Sequence, residues 1–225
     1  MKTLDFNFTK NTSKVKSFRV EKVIGIFELD NTHLTQEFVG KIELPDNWNV
    51  GVIVGRSGTG KSSIAKELFK IYQTDFGTKP IIDEMSDNKT VEEITKTFTN
   101  VGFSSPPNWL KPYQVLSNGE KMRVELAKAL LEGDSTIVFD EFTSVVDRDV
   151  AKVVSMVVAK TIRKESRQFV AITCHYDVID YLEPDWIFST DEMKMLPVKK
   201  NDQNWQSIYT KAIRPTGNCL ETITI

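Results

Sequence analysis

Between positions 49 and 63 the chain reads NVGVIVGRSGTGKSS, and these residue types in this order suit the holding of a phosphate chain. Gly55, Gly58 and Gly60 let successive backbone N–H groups turn toward an anion where a Cβ would obstruct it. Arg56, Ser57 and Thr59 complete the loop, and a helix beginning near Gly60 adds unpaired N–H groups and the positive end of its dipole. Lys61 can reach the outer phosphates, the Ser62 hydroxyl is a hard-oxygen ligand for Mg²⁺, and Ser63 follows in the first turn. The apolar run of residues 50–54 just before the loop reads as a buried strand. Strand, glycine loop and helix together predict a nucleoside triphosphate site.

Three further groups carry chemistry. Asp140 and Glu141 end the apolar run TIVFDE, where one carboxylate can hold the waters around Mg²⁺ and the next can orient or deprotonate an attacking water. His175 follows FVAITC at another strand end, where an imidazole can donate to a terminal phosphate and register its presence. Ser117 and Glu120 have capping-box spacing at the start of a periodic helix, and Gly119 beside them can offer an N–H to phosphate. One chain already has its phosphate site at 55–62. A second is useful only toward the nucleotide of another subunit.

The elements that must position these groups follow from periodicity. Residues 1–16 read as a flexible, polar N-terminus, and residues 17–29 and 34–44 as an antiparallel strand pair around the turn-forming DNTH. The helix after the loop is expected to reach about Tyr72, and residues 79–83 to form a short strand. A capping box at Thr90 and Glu93 opens a helix to about Asn100, and the three prolines of GFSSPPNWLKPYQV forbid regular structure there. Helices over 119–132 and 147–164 flank the strand at 136–139, and strands at 168–173 and 186–189 follow, separated by a short helix. Residues 201–225, ending in LETITI, suggest a C-terminal β extension. This alternation predicts an α/β fold with a mostly parallel sheet flanked by helices, an N-terminal antiparallel β subdomain and a short helical insert at about 85–117. Ligands of such sheets bind at the carboxyl ends of the strands, where all three strand-terminal groups meet.

Composition bounds the rest. At 225 residues the chain suits one domain, and its net charge of −2 gives no sign of a nucleic-acid-coating protein, although a local basic patch stays open. Cys174 and Cys219 lack metal spacing and read as reduced thiols, no apolar stretch approaches membrane-spanning length, and the N-terminus has no signal-peptide core, so a cytoplasmic protein is expected.

Taken together, the motifs resemble those of the ABC-type ATPases. GRSGTGKSS is similar to their Walker A loop, LSNGE at 116–120 to the signature, IVFDE to Walker B, SVVD to the D-loop and His175 to the switch histidine. The resemblance covers about residues 17–190, within an ATPase domain taken as 17–200, and looks strongest toward soluble bacterial and phage members sometimes joined to an acetyltransferase domain; no acetyl-CoA loop is seen here. It implies ATP and Mg²⁺ as ligands and ATP-dependent association of two protomers. Ser117 and Gly119 would then meet the γ-phosphate held by the partner, with Glu141 as base, Lys61 and His175 as catalytic helpers, Ser62 and Asp140 at the metal, and Asp147 in the D-loop. Phe27 is implied as the aromatic stacking on adenine, with Phe18 and Phe38 as rivals. Asn118 and Glu120 depart from the family's glycine and glutamine, and no Q-loop glutamine follows residues 79–83, where Asp83 or Glu84 stands instead. The expected function is a soluble ATPase driving a conformational cycle in an unidentified partner; a transporter's nucleotide-binding subunit and a switch acting on nucleic acid are the alternatives.

Overall fold

The computed structural model describes residues 1–11, 17–28 and 35–198. The C-terminal β extension expected at 201–225, and Cys219 with it, lies outside the described residues. The described elements are β1 (Lys2–Asn11), α1 (Phe18–Ile26), β2 (Thr35–Leu44), β3 (Val50–Val54), α2 (Lys61–Leu68), α3 (Val91–Asn100), α4 (Pro106–Trp109), α5 (Asn118–Glu132), β4 (Thr136–Phe139), α6 (Arg148–Lys164), β5 (Gln168–Thr173), α7 (Ile179–Leu182), β6 (Trp186–Ser189) and β7 (Lys194–Leu196).

The central sheet runs β4-β5-β3-β6-β7, parallel except for β7. Its strands look uniformly apolar in sequence because both faces are covered, yet the side chains still alternate. Val50, Val52, Val54, Ile137, Phe139, Phe169, Ala171 and Ile187 face the larger core with α5 and α6. Ile53, Val138, Val170, Ile172, Trp186 and Phe188 face the other core, shared with α2 and the β1–β2 pair. Gly51 lies under Trp186, and a Cβ there would overlap the indole.

Here the N-terminal expectation is corrected. Residues 2–11 are not a flexible leader but β1, paired antiparallel with β2 from Lys2↔Leu44 to Asn11↔Thr35. Leu4, Phe6 and Phe8 occupy one face of β1 by the period of two, and Phe6 and Phe38 are buried. The segment expected as the first strand, 17–29, instead holds helix α1, capped by Ser17, whose hydroxyl accepts from the Val20 N–H. Its Val- and Ile-rich composition reads as strand, but the strand position beside β2 is already taken by β1.

Smaller departures have local causes. Helix α2 stops at Leu68, four residues short of Tyr72, and the chain then runs extended so that the Tyr72 N–H donates to the Val138 carbonyl of β4. Residues 81–84 form a 3-10 turn rather than a strand. The proline-rich segment does hold one helical turn, α4, because Pro106 sits where a helix's first N–H groups have no partner anyway. Helices α3 and α5 have complete capping boxes at Thr90/Glu93 and Ser117/Glu120, as their spacing predicts.

Candidate functional site

The parallel strands deliver the chemical groups to one edge. Strand β3 ends at Val54, directly before Gly55; β4 ends at Phe139, before Asp140; β5 ends at Thr173, two residues before His175. A cavity of about 390 Å³ opens there, lined by loop residues 57, 58 and 60–63 together with Asp140 and Glu141.

The loop has the geometry its glycines imply. Gly58 and Gly60 have φ of 83° and 88°, in the left-handed region that side chains resist. Gly60 has a second reason to lack a Cβ, which would strike the Phe38 ring of β2. The small antiparallel sheet is thereby seated directly against the loop. Gly60 also caps α2 without a side-chain bond, leaving that helix's first N–H groups for a ligand. Lys61 Nζ donates to the carbonyls of Gly55 and Arg56, both at 2.7 Å, so its ammonium is held over the loop.

Ser62 Oγ donates to Asp140 Oδ1 at 3.0 Å. A hydroxyl and a carboxylate meeting beside a phosphate loop form a hard-oxygen pair that fits Mg²⁺ with its waters and a phosphate oxygen. The same Asp140 Oδ1 accepts the Glu141 N–H at 2.9 Å. Glu141 itself has φ of 52° and Thr143 φ of 63°, so the turn after β4 is bent through two left-handed residues. Glu141 is exposed, while Phe142 beside it is fully buried as the anchor, its N–H donating to the Ile172 carbonyl at 2.8 Å.

His175 is half-buried, and its N–H donates to Thr173 Oγ1 at 3.1 Å. Burial first, then the Arg148 charge, hold its imidazole below the ordinary histidine value, with Lys61 adding to them and Asp177 opposing. That direction favours the neutral ring, which keeps one ring N–H to donate.

Ser117 and Gly119 are not on the phosphate-loop cavity. Ser117 is exposed at the start of α5, its Oγ donating to Glu120 at 2.8 Å, while Gly119 packs beside the Val145 carbonyl. Asn118 between them lines a second cavity, about 550 Å³, whose wall includes Asp140 and Glu141. The acid pair thus separates the loop from the signature-like segment. Asp147 caps α6, accepting from the N–H groups of Asp149 and Val150.

The expectation for the adenine-stacking aromatic is corrected. Phe27 ends α1, is 67 % exposed and is not among the residues lining the phosphate-loop cavity; of the three aromatic candidates only Phe38 lines it. The cause is the exchange of strand for helix at 17–29. Gln73, in the extended segment beside β4, is a residue the sequence did not single out; it lines the second cavity with Asp140 and Glu141. Glu84 is instead committed to the backbone N–H groups of Gly77 and Lys79. Lys10 is a further omission; it lines the loop cavity and its Nζ donates to Ser63 Oγ at 3.4 Å, on the face that Leu4, Phe6 and Phe8 mark out.

No protein-family model matches the chain. Over 122 residues it is 31 % identical to the ATP-binding protein YdiF of Bacillus subtilis, covering 43 % of this chain and 19 % of that protein. Over 189 residues it is 23 % identical to the energy-coupling factor transporter ATP-binding protein EcfA1 of Mycoplasma mycoides, covering 66 % of this chain and 46 % of the relative. The chain therefore spans less than half the length of either curated relative. Among solved structures it resembles the ATP-binding cassette MJ0796 in a dimeric post-hydrolysis state bound to ADP and Pi, with TM-score 0.61 and 12 % identity over 89 % of this chain and all of that one. It also resembles a bacterial Atm1-family ABC exporter with ATP bound, with TM-score 0.54 and 18 % identity over 72 % of this chain and 36 % of that one. Likeness at this level of identity speaks to architecture, and the parallel sheet, its helices and the β1–β2 pair agree with it: the chain has the fold of an ATP-binding-cassette ATPase domain.

Proposed function

We propose that this protein is an Mg²⁺-dependent ATPase whose two copies close around ATP and reopen after hydrolysis. The observation that carries the reading is the Ser62–Asp140 contact beside Lys61 and Glu141, with Ser117 exposed outside that cavity. Residues 55–63 would cradle the phosphates, and Lys61 would exchange its carbonyl partners for phosphate oxygens. Mg²⁺, held by Ser62 and through water by Asp140, would offset the phosphate charge. Glu141 accepts the proton of the attacking water, and the neutral His175 donates its N–H to the terminal phosphate. Ser117 and Gly119 of a second copy complete the site, with Asp147 at the junction. MJ0796, which this chain resembles in fold, is described as dimeric with ADP and Pi bound, and supports this reading. The domain would run over about residues 2–198, β1 included, with the helical insert near 85–117. Among the described residues no helix is long and apolar enough to cross a membrane; access to ATP suits a cytoplasmic site of action.

Glu141→Gln keeps the side chain's shape and removes the base. With ATP and Mg²⁺ this variant is expected to elute as a dimer in size-exclusion chromatography, monomeric without nucleotide, and to have lost hydrolysis. A variant that remains monomeric and hydrolyses ATP at the wild-type rate refutes the proposal.

A second reading gains from Gln73. Gln73 beside the acid pair is a candidate for the glutamine not found after residues 79–83, and the likeness to the transporter ATP-binding protein EcfA1 supports the same reading. Leu110 and Val115 of the insert, 68 % and 64 % exposed, are where such a partner would bear. Copurification of a membrane protein, lost on Leu110→Asp, would favour this reading.

A further inference from the structure

Beside the phosphate loop, the turn after β6 grips the site through residues 190 and 191, which the nucleotide reading does not use. Thr190 Oγ1 lies 2.6 Å from Thr59 Oγ1, and its N–H donates to the Val54 carbonyl at 2.8 Å. The next residue, Asp191, accepts the Arg56 N–H at 3.1–3.2 Å and the Arg56 Nε at 3.1 Å. Its other oxygen accepts the Tyr176 hydroxyl at 2.9 Å. Tyr176 is the residue after His175 and opens the short 3-10 turn that His175 caps. One carboxylate therefore joins the first turn of the phosphate loop to the loop bearing the imidazole.

We infer that Asp191 and Tyr176 are positioning residues that set His175 in register with the phosphate loop. The inference rests on the ATPase reading for its catalytic consequence, but the register itself is a property of the free protein. The Arg56 side chain is 84 % exposed and Tyr176 45 % exposed, so these bonds contribute little to global stability. Their effect is directional. A donor aimed at a transferring phosphate loses much of its effect when displaced by a fraction of an ångström to an ångström. Asp191 is suited to the role because it stays ionised: burial pushes its carboxyl up, but the Arg56 and Tyr176 hydrogen bonds together bring it below the ordinary value.

Tyr176→Phe tests the link with one atom removed. The chain has two histidines, His33 and His175, so the imidazole resonances can be followed individually by proton NMR. In the nucleotide-free protein, Tyr176→Phe and Asp191→Ala are each expected to shift the His175 resonances and their titration midpoint and to leave those of His33 unchanged. In hydrolysis assays Tyr176→Phe should lower kcat about tenfold, with KM for ATP and Tm unchanged, and should add nothing further in a His175→Ala background. Wild-type His175 resonances in both variants overturn the inference whatever the protein hydrolyses. A kcat loss that persists in the His175→Ala background, or that accompanies a fall in Tm, also overturns it. Shifted resonances in a protein that neither binds nor hydrolyses ATP uphold the register and refute the ATPase reading.

Discussion

At the scale of single residues, the site is a set of groups already satisfied by one another. Lys61 is bonded to the carbonyls of Gly55 and Arg56, and Ser62 to Asp140. On the proposed reading, a phosphate chain would take over these partners rather than meet bare charges. Lys61→Ala leaves the apolar surroundings intact and removes two charge-assisted donors, which predicts retained folding and a loss of about two orders of magnitude in ATP affinity, read by calorimetry. His175 makes a prediction in pH. Its folded value lies below the ordinary one, so the unfolded chain binds more protons, and stability falls as pH drops below about 6.5. Wild type should lose Tm relative to His175→Ala between about pH 7.5 and about pH 5.5, with no such divergence above it. Equal slopes for the two proteins would refute the assignment. The meeting of the glycine loop with the acid pair at one cavity was the most legible feature, because short-range spacing places each directly after a buried strand. Lys10 and Gln73 were not legible, because each depends on an element whose boundary or type had been misread.

At the scale of elements, legibility followed burial. Strands β3 to β6 and helices α5 and α6 lie in the core, and burial on known faces leaves one periodicity that satisfies them. The N-terminal region went wrong for the converse reason. In α1 no residue is buried, so no core face imprinted a helical period, and β-branched residues suggested a strand. In β1 the alternation of Leu4, Phe6 and Phe8 was present but surrounded by polar residues. Helix caps, by contrast, depend on adjacent residues alone and were readable. Asp147 provides a test at this scale. Asp147→Ala leaves the N–H groups of Asp149 and Val150 without their acceptor, costing about 1 kcal/mol and roughly 2–4 °C in Tm. Asp147→Ser retains a cap and should keep the Tm. If the proposed ATP-dependent association is lost in the serine variant while the Tm is kept, the loss would be assigned to the carboxylate rather than to the helix cap.

At the scale of the molecule, the two cores on either side of the sheet explain why the phosphate loop stands where it does. The larger core fixes the strand ends that carry Asp140 and His175; the smaller one brings the β1–β2 pair against Gly60 through Phe38. Helix α1 is an excursion from that pair, nine residues long, shorter than a helix that holds itself in water and without a buried residue to hold it otherwise. Its opening costs the cores nothing, so its amides should exchange with solvent far faster than those of β1 and β2. Trypsin has Arg19 and Lys22 exposed on it. Brief digestion should cut the chain between residues 11 and 35, yet the ten-pair ladder from Lys2↔Leu44 to Asn11↔Thr35 should keep both pieces in one peak on a sizing column, separating only in denaturant. The protein would then be divisible into a short N-terminal peptide and a main body that reassemble by strand pairing. Phosphate-loop binding could be switched on by adding the peptide back.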